Sequence, residues 1–268
     1  TYLGVESFQY CRNLEYIYIP ARVSIIESKC FSGCTGLKTL RVKWKTPFGA
    51  SEGLQIFNNV DLSTVTLYVP KGTKALYESA EVWKSFGTIV EDPAITADDI
   101  TIEYGDDMPQ LTFSSDVEVI GTPALSCSAT PTSPVGTYPI TISRGSVENE
   151  NVGFIDGTLT IVKAPLTISA GSYTKKQGEE NPRFTATYSG FKNGETASVL
   201  TKQPTFTTDV VASTAPGQYI VKVSGAEAQN YNINYMYGTL TVTETDKVTI
   251  IADNITMVYG DEVPQLTY

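Results

Sequence analysis

Short runs in which apolar and polar residues alternate occur along the whole chain, and this pattern predicts β-strands. In the first third the pattern repeats: "SFQYCRNLEYIYIP" at 7–20 returns as "CFSGCTGLKTLRVK" at 30–43. The same interval separates Phe8 from Phe31, Cys11 from Cys34 and Leu14 from Leu37. A looser third copy, "IFNNVDLSTVTLYVP", occupies 56–70. Each copy predicts a short strand, such as 16–19, and a return segment. Because one unit cannot bury its apolar side alone, the repeat predicts a stack.

Alternation within the predicted strands decides which side chains point away from the stack. Ile17 and Ile19 point inward, so Tyr16 and Tyr18 point outward. The equivalent positions complete an outward face made of Tyr16, Tyr18, Arg41, Lys43 and Tyr68. Exposed Tyr and Arg are common at binding hot spots, so these five residues are the candidate ligand-binding residues. The alternative is a solvated sheet face on which Tyr only satisfies β-propensity.

A different repeat fills the rest of the chain. "VGTYPITIS" at 135–143 corresponds to "PGQYIVKVS" at 216–224. The interval from Gly136 to Gly217 equals the interval from Gly157 to Gly238, so the two copies are collinear. We therefore predict four segments: a stacked-repeat domain, two complete β modules and the truncated start of a third. Their ranges are 1–93, 94–164, 165–243 and 244–268.

Strand and turn signals alternate within each module, which predicts five or six strands in a small, antiparallel-rich β domain. An immunoglobulin-like sandwich fits this pattern, and a β-grasp-like sheet is the alternative. The predicted fold class of the whole chain is mainly β. One helical turn, at 194–200, interrupts the strands of the second module.

The β modules open on related motifs: "YGDDMPQLTF" at 104–113, "QGEENPRFTATY" at 177–188 and "YGDEVPQLTY" at 259–268. Gly followed by acidic residues and Pro predicts a turn that leads into a strand. A weak cation site is the alternative, although two carboxylates fall short of the six to eight oxygens that Ca²⁺ takes. The third module should form at most a strand or a hairpin.

Charge and composition exclude several functions. The net charge is −10: residues 1–93 hold 10 basic and 9 acidic side chains, and residues 94–268 hold 9 and 20. This balance argues against a nucleic-acid partner, which requires clustered Lys and Arg. Histidine is absent, which removes His-dependent nucleophilic catalysis and His-ligated metals. No cofactor or metal motif occurs, so we expect no enzymatic activity, no cofactor and no metal site.

The four cysteines do not form a disulfide framework. Cys11 and Cys34 occupy equivalent repeat positions, where we expect both to be buried as small apolar groups. A disulfide between Cys30 and Cys34 is the alternative on this segment, and Cys127 has no evident partner.

The repeat "F-x-x-C-x-x-L-x-x-I-x-I-P" resembles the BspA-like leucine-rich repeats of bacterial surface proteins. The segment "LYVPKGTKALYESAEVWKSFGTIVE" at 67–91 looks like the usual capping end of such arrays, and this resemblance implies a helix at about 73–79 and a Trp-bearing segment that cap the stack. The string "YG-x-x-x-P-x-L-T", followed later by "GTLTV", resembles the MBG or YGX-type modules of bacterial surface proteins. The second module departs from this pattern, because Gln177 replaces the Tyr.

These resemblances imply an extracellular protein of the bacterial cell surface that binds a host protein, a matrix protein or a glycan. The β modules would act as spacers, and we expect a monomer that does not span the membrane within this sequence. Two alternatives stay open: a purely structural stalk, and an accessory part of a larger surface enzyme.

Overall fold

The computed structural model describes residues 1–49 and 55–267. The chain forms two compact units. The first contains residues 1–102, 107–130 and 136–160, so it includes the stacked repeats and most of the first β module. The second contains residues 103–106, 131–135 and the chain from Ile161 onward. Two short loops of the first module thus group with the second module.

The repeat domain is built on a parallel sheet. Its strands are β1 (Tyr2–Leu3), β2 (Tyr16–Ile19), β3 (Ile25–Ile26), β4 (Thr39–Val42), β5 (Thr66–Val69) and β6 (Thr88–Glu91). Strands β2, β4, β5 and β6 lie side by side in that order, and all are parallel. Strands β1 and β3 form a second, narrow parallel sheet. Each strand is followed by a return segment, so successive strands advance in one direction.

Aromatic side chains fill the repeat core. Phe8, Phe31 and Phe57, which the sequence places at equivalent positions, stack with ring centroids 5.4 and 5.8 Å apart. Helix α1 (Lys74–Ser79) follows the last complete repeat, close to its predicted position. Trp83 is fully buried and donates a hydrogen bond from Nε1 to the carbonyl of Phe48 at 2.8 Å.

One cysteine prediction is wrong. Cys34 is buried as expected, but Cys11 is exposed and Cys30 is the other buried thiol. Cys34 lies in the second repeat, between two neighbours, whereas Cys11 lies in the first repeat and is covered on one side only. The thiols of Cys30 and Cys34 are free, so the alternative of a disulfide between them is not what the chain forms.

The two complete β modules share one topology. Strands β7 to β13 of the first are Ala94–Ala97, Ile100–Glu103, Phe113–Ser115, Ala124–Cys127, Gly136–Ser143, Gly153–Ile155 and Gly157–Val162. Strands β14 to β20 of the second are Ala164–Ala170, Ser172–Lys176, Ala186–Ser189, Thr205–Thr207, Gly217–Ser224, Tyr231–Met236 and Gly238–Thr243. Each module has a four-stranded sheet, β10-β11-β13-β8 or β17-β18-β20-β15, and a three-stranded sheet, β12-β7-β9 or β19-β14-β16.

Two sheets per module agree with the predicted sandwich and not with a β-grasp sheet. The predicted strand count was low, because each module has seven strands. Antiparallel pairs predominate among the described module strands, as the antiparallel-rich prediction states, and parallel pairs occur beside them. β7 pairs in parallel with β12, β14 with β19, and β15 with β20. The predicted helical turn at 194–200 is a 3₁₀ turn at Ala197–Val199.

The constant interval between the two module copies reflects a shared core. Ile140, Ile142 and Leu159 of the first module correspond to Val221, Val223 and Leu240 of the second, and all six are buried. Gly157 and Gly238 also correspond, and each passes close to another backbone. A Cβ at Gly238 would lie 2.0 Å from the carbonyl oxygen of Gly171, so a side chain there would force the backbones apart. This close approach explains the repeated glycine of "GTLT".

All three module-opening motifs form the predicted turn. In the first module, the N–H of Asp106 donates to the carbonyl of Glu103 at 3.1 Å, and Gly105 has a φ of 82°. The same bond joins Glu179 to Lys176 and Asp261 to Val258. Glycine with positive φ at the third position is the requirement of a type II turn. The first acidic side chain closes the turn by accepting the N–H of the residue three positions earlier.

The third module is a short extension in this structure. Its described residues, up to 267, form no strand. The N–H of Asp253 nevertheless donates to the carbonyl of Thr267 at 3.2 Å. Asp98 and Thr112 make the equivalent bond in the first module, at 3.0 Å. The segment therefore reproduces one backbone contact of the first module without forming a sheet in its described residues.

Candidate functional site

The parallel sheet brings the predicted binding residues onto one face. The register pairs Tyr18 with Arg41 and Arg41 with Tyr68, so the three side chains are lateral neighbours on β2, β4 and β5. Tyr16 is two residues before Tyr18 and points to the same side, while Ile17 and Ile19 are buried. We call this surface the outward sheet face; it consists of Tyr16, Tyr18, Arg41, Lys43 and Tyr68.

Exposure differs across the outward sheet face. Tyr16 and Tyr18 are each 48% exposed. The side chains of Arg41 and Lys43 are only 12% and 21% exposed. Tyr68 is half-buried. The two tyrosines of β2 are thus accessible to a large partner, and the remaining three residues form a more enclosed patch beside them.

An unpredicted residue, Asp92, holds the enclosed patch in place. Its side chain is 1% exposed, with Lys43 Nζ 2.7 Å from Oδ2 and Arg41 Nε 3.5 Å from Oδ1. The guanidinium of Arg41 also lies over the ring of Tyr68, 4.4 Å from its centroid, which is a cation–π geometry. Arg41 and Lys43 are therefore fixed rather than freely solvated cations.

A sequence signal for Asp92 existed. The register pairs Val69 with Glu91, so its continuation by one residue places Asp92 level with Pro70. Alternation then puts Asp92 on the same side as Val90 and Tyr68. Because Pro70 has a short side chain, Lys43 can extend across it to the carboxylate. The sequence prediction assigned Asp92 to the boundary between two domains and not to the sheet.

The chemistry of this face is that of a contact surface. Tyr rings offer large, rigid, amphipathic area, and an anchored Arg offers a planar stacking surface. The buried thiol of Cys30 does not add a reactive group, because burial, with a smaller effect from Cys34, raises its pKa to about 11. In the part of the chain that the structure describes, no three Cys, Asp or Glu side chains are grouped to hold a metal ion.

No described helix is both long and apolar enough to cross a bilayer. A search of curated proteins gave no match. Two solved structures with a detectable similarity are the immunoglobulin domains 1–4 of Sidekick-1 and the EC1-3 region of Drosophila N-cadherin. The first is 11% identical, with a TM-score of 0.21, over 59% of this chain and 53% of that one. The second is 8% identical, with a TM-score of 0.16, over 59% and 71%. At such low TM-scores neither similarity supports a statement about function.

Family models match most of the chain. The model described as MBG domain (YGX type) matches residues 94–160 and 166–241, which together are more than half of the sequence. The model described as BspA type leucine-rich repeat region (six copies) matches residues 1–81. Both kinds of domain are typical of bacterial cell-surface proteins, and neither family is enzymatic. The chain therefore belongs to the MBG domain (YGX type) family and begins with a BspA-type leucine-rich repeat region.

Proposed function

We propose that this chain is a non-enzymatic binding protein of the bacterial cell surface, located outside the cell. The outward sheet face of the leucine-rich repeat region contacts a host protein, a matrix protein or a glycan. The β modules act as spacers and carry no reaction. The chain works as a monomer, without a cofactor or a metal ion.

The observation that carries this proposal is the composition of the outward sheet face. Tyr16 and Tyr18 stand side by side along β2, half-exposed, on a rigid sheet. Tyr is favoured at interfaces because it buries a large area with few rotatable bonds and keeps a polar tip. A face evolved only for solubility is typically covered with charged residues, whereas the exposed residues here are aromatic.

The ion cluster around Asp92 supports the same role. Ordering a long cationic side chain upon binding costs about 0.5–1.5 kcal/mol. Asp92 and Tyr68 already hold Arg41 and Lys43 in place, so a partner would meet them preorganised. The cluster has one more positive than negative charge, in a chain whose net charge is −10, which favours a contact with an anionic or hydroxyl-rich partner group.

The test is a binding screen of the full chain against immobilised matrix proteins and a glycan array, followed by variants. For any ligand found, we expect the double variant Tyr16→Ser, Tyr18→Ser to raise Kd about tenfold or more, the effect typical of a hot-spot residue. Tyr237→Ser is the matched control, because Tyr237 is 60% exposed and lies in the second β module. It should leave Kd unchanged.

Two outcomes would reject the proposal. One is a ligand whose Kd responds to Tyr237→Ser but not to the double variant. The other is the absence of any ligand in both screens, which would favour the structural stalk. Circular dichroism of the double variant separates loss of contact from loss of fold, since neither tyrosine is part of the buried core.

A further inference from the structure

The Tyr-Gly-Asp turn of the first β module contains a buried tyrosine. Residues 103–106 group with the second unit, and within that unit Tyr104 is 3% exposed. Its hydroxyl donates to Oε1 of Glu195 at 2.7 Å, and its ring packs edge-on against Tyr231 at 5.6 Å. A tyrosine in the middle of a tight turn is normally solvated, so its burial requires an explanation beyond the turn itself.

Glu195 connects two phenols. Its other carboxylate oxygen accepts a hydrogen bond from the hydroxyl of Tyr231, which is also 3% exposed. The same hydroxyl accepts the backbone N–H of Lys192 at 2.9 Å. Hydrogen bonds to a carboxylate are about twice as strong as neutral ones, which makes this loop a specific receptor for a phenol.

The two residues after Tyr104 also face this loop. A Cβ at Gly105 would lie 2.4 Å from Cβ of Lys192, so only glycine permits the approach. The ammonium of Lys192 lies 2.9 Å from Oδ1 of Asp106. All three residues of Tyr-Gly-Asp therefore meet residues of the loop 191–195, which we call the acceptor loop.

The equivalent residues of the other two turns are not buried. The second module forms the same turn with Gln177, whose Nε2 is 3.4 Å from the carbonyl of Ser213 in that same module. The third forms it with Tyr259, which is fully exposed. Among the described residues, Tyr104 is thus buried against the acceptor loop, whereas Gln177 and Tyr259 are not buried.

The acceptor loop is an insertion in the second module. The segment between its third and fourth strands runs from 190 to 204, whereas the equivalent segment of the first module runs only from 116 to 123. The shorter segment, "DVEVIGTP", contains no aromatic residue and no Lys. The module that follows a Tyr-Gly-Asp turn therefore has the loop, and the module that follows the repeat domain does not.

We propose that the Tyr-Gly-Asp turn is a recognition element between β modules: its partner is a following module that presents an acceptor loop of the 191–195 type. The tyrosine hydroxyl is bound by a glutamate, the glycine leaves room for the side chain of Lys192, and the aspartate pairs with that lysine. Gln177, which replaces the tyrosine in the second module, has no phenol to donate to such a loop. This role is independent of ligand binding by the outward sheet face.

The test is hydrogen–deuterium exchange of the full chain carrying Tyr104→Phe, Glu195→Gln or both. We expect Tyr104→Phe to increase exchange in residues 191–195 about tenfold or more, the effect of losing a hydrogen bond to a charged group. Glu195→Gln should increase exchange in residues 103–106. The double variant should be no worse than the more affected single variant, because both remove one shared interaction.

Tyr173→Phe is the matched control. Tyr173 also makes hydrogen bonds through its hydroxyl, but to Thr185 within its own module. It should change exchange near 185 and leave 103–106 and 191–195 as they are. Unchanged exchange at 191–195 in Tyr104→Phe, or strictly additive effects in the double variant, would overturn the proposal. Both single substitutions preserve side-chain size, and circular dichroism checks that each variant is folded.

Discussion

In the first unit a carboxylate, Asp92, is buried at 1% exposure and faces two cationic side chains. In the second unit an ammonium, Lys175, is buried at 4% exposure and faces backbone. Lys175 Nζ donates to the carbonyls of Glu179 at 2.8 Å and Val211 at 2.9 Å. The same physical problem, a buried charge that must be compensated, has two different solutions in one chain.

The difference lies in what each charge holds together. Asp92, which follows β6, pairs with Arg41 of β4 and with Lys43, the residue after β4, so it acts across the sheet. Lys175, at the end of β15, joins the module-opening turn to the segment around residue 211, so it orders loops. A side-chain pair can be removed from both sides, whereas backbone carbonyls cannot be mutated away. The stability of the two units should therefore respond differently to substitution of Asp92 and of Lys175.

The largest effect is expected for Asp92→Asn. It leaves Arg41 and Lys43 largely buried without a counter-charge, and breaking one side of a buried ion pair costs about 3 kcal/mol or more. Urea unfolding of the first unit measures this cost. The control is Glu15→Gln, which removes an exposed pair with Lys38 at 2.6 Å and should cost less than about 1 kcal/mol. Equal costs for the two variants would show that Asp92 is not a structural counter-ion.

Lys175→Met should have a smaller effect, of about 1–3 kcal/mol on the second unit, because methionine fills a similar volume but leaves the carbonyls of Glu179 and Val211 without a donor. Lys222→Met is the control, because Lys222 is exposed on β18. Exchange of residues 176–180 should rise in Lys175→Met alone. A variant that is as stable as the parent would mean that water replaces the ammonium at no cost.

Sequence periodicity was sufficient to predict the structural features that recur along the chain. The repeat of the first domain placed Tyr18, Arg41 and Tyr68 on one face, and the register confirms this. The constant interval between the module copies identified equivalent core strands, those that contain Gly157 and Gly238 among them. Regular spacing succeeds because equivalent residues have equivalent neighbours, so one inference covers several positions.

Features that occur once were not predictable in the same way. The burial of Asp92 depends on Arg41 of β4 and on Lys43 directly after it, and β4 is not adjacent to β6. The contact of Tyr104 with Glu195 joins residues that are far apart in sequence and depends on a loop that the first module lacks. Lys175 donates to backbone carbonyls, which every residue type has, so the sequence does not indicate its partners. The parallel strand pairs were missed because alternation is the same in parallel and antiparallel strands.

The smallest predicted effect is a change in folding stability at alkaline pH. It is tested by comparing the pKa of one buried tyrosine from each unit. Burial, and then the hydrogen bond to Glu195, raises the pKa of Tyr231 to about 12, while burial alone raises the pKa of Tyr77 in the repeat domain. An unfolded tyrosine loses its proton near pH 10. Between about pH 10 and 12 the folded state thus retains a proton that the unfolded state has lost, so the stabilisation is complete below pH 10 and decreases as pH rises through this window. Glu195→Gln should lower the pKa of Tyr231 and leave that of Tyr77 in place, which tyrosinate absorbance during an alkaline titration will measure. If both tyrosines shift together, or neither does, the carboxylate of Glu195 does not set the difference between the two units.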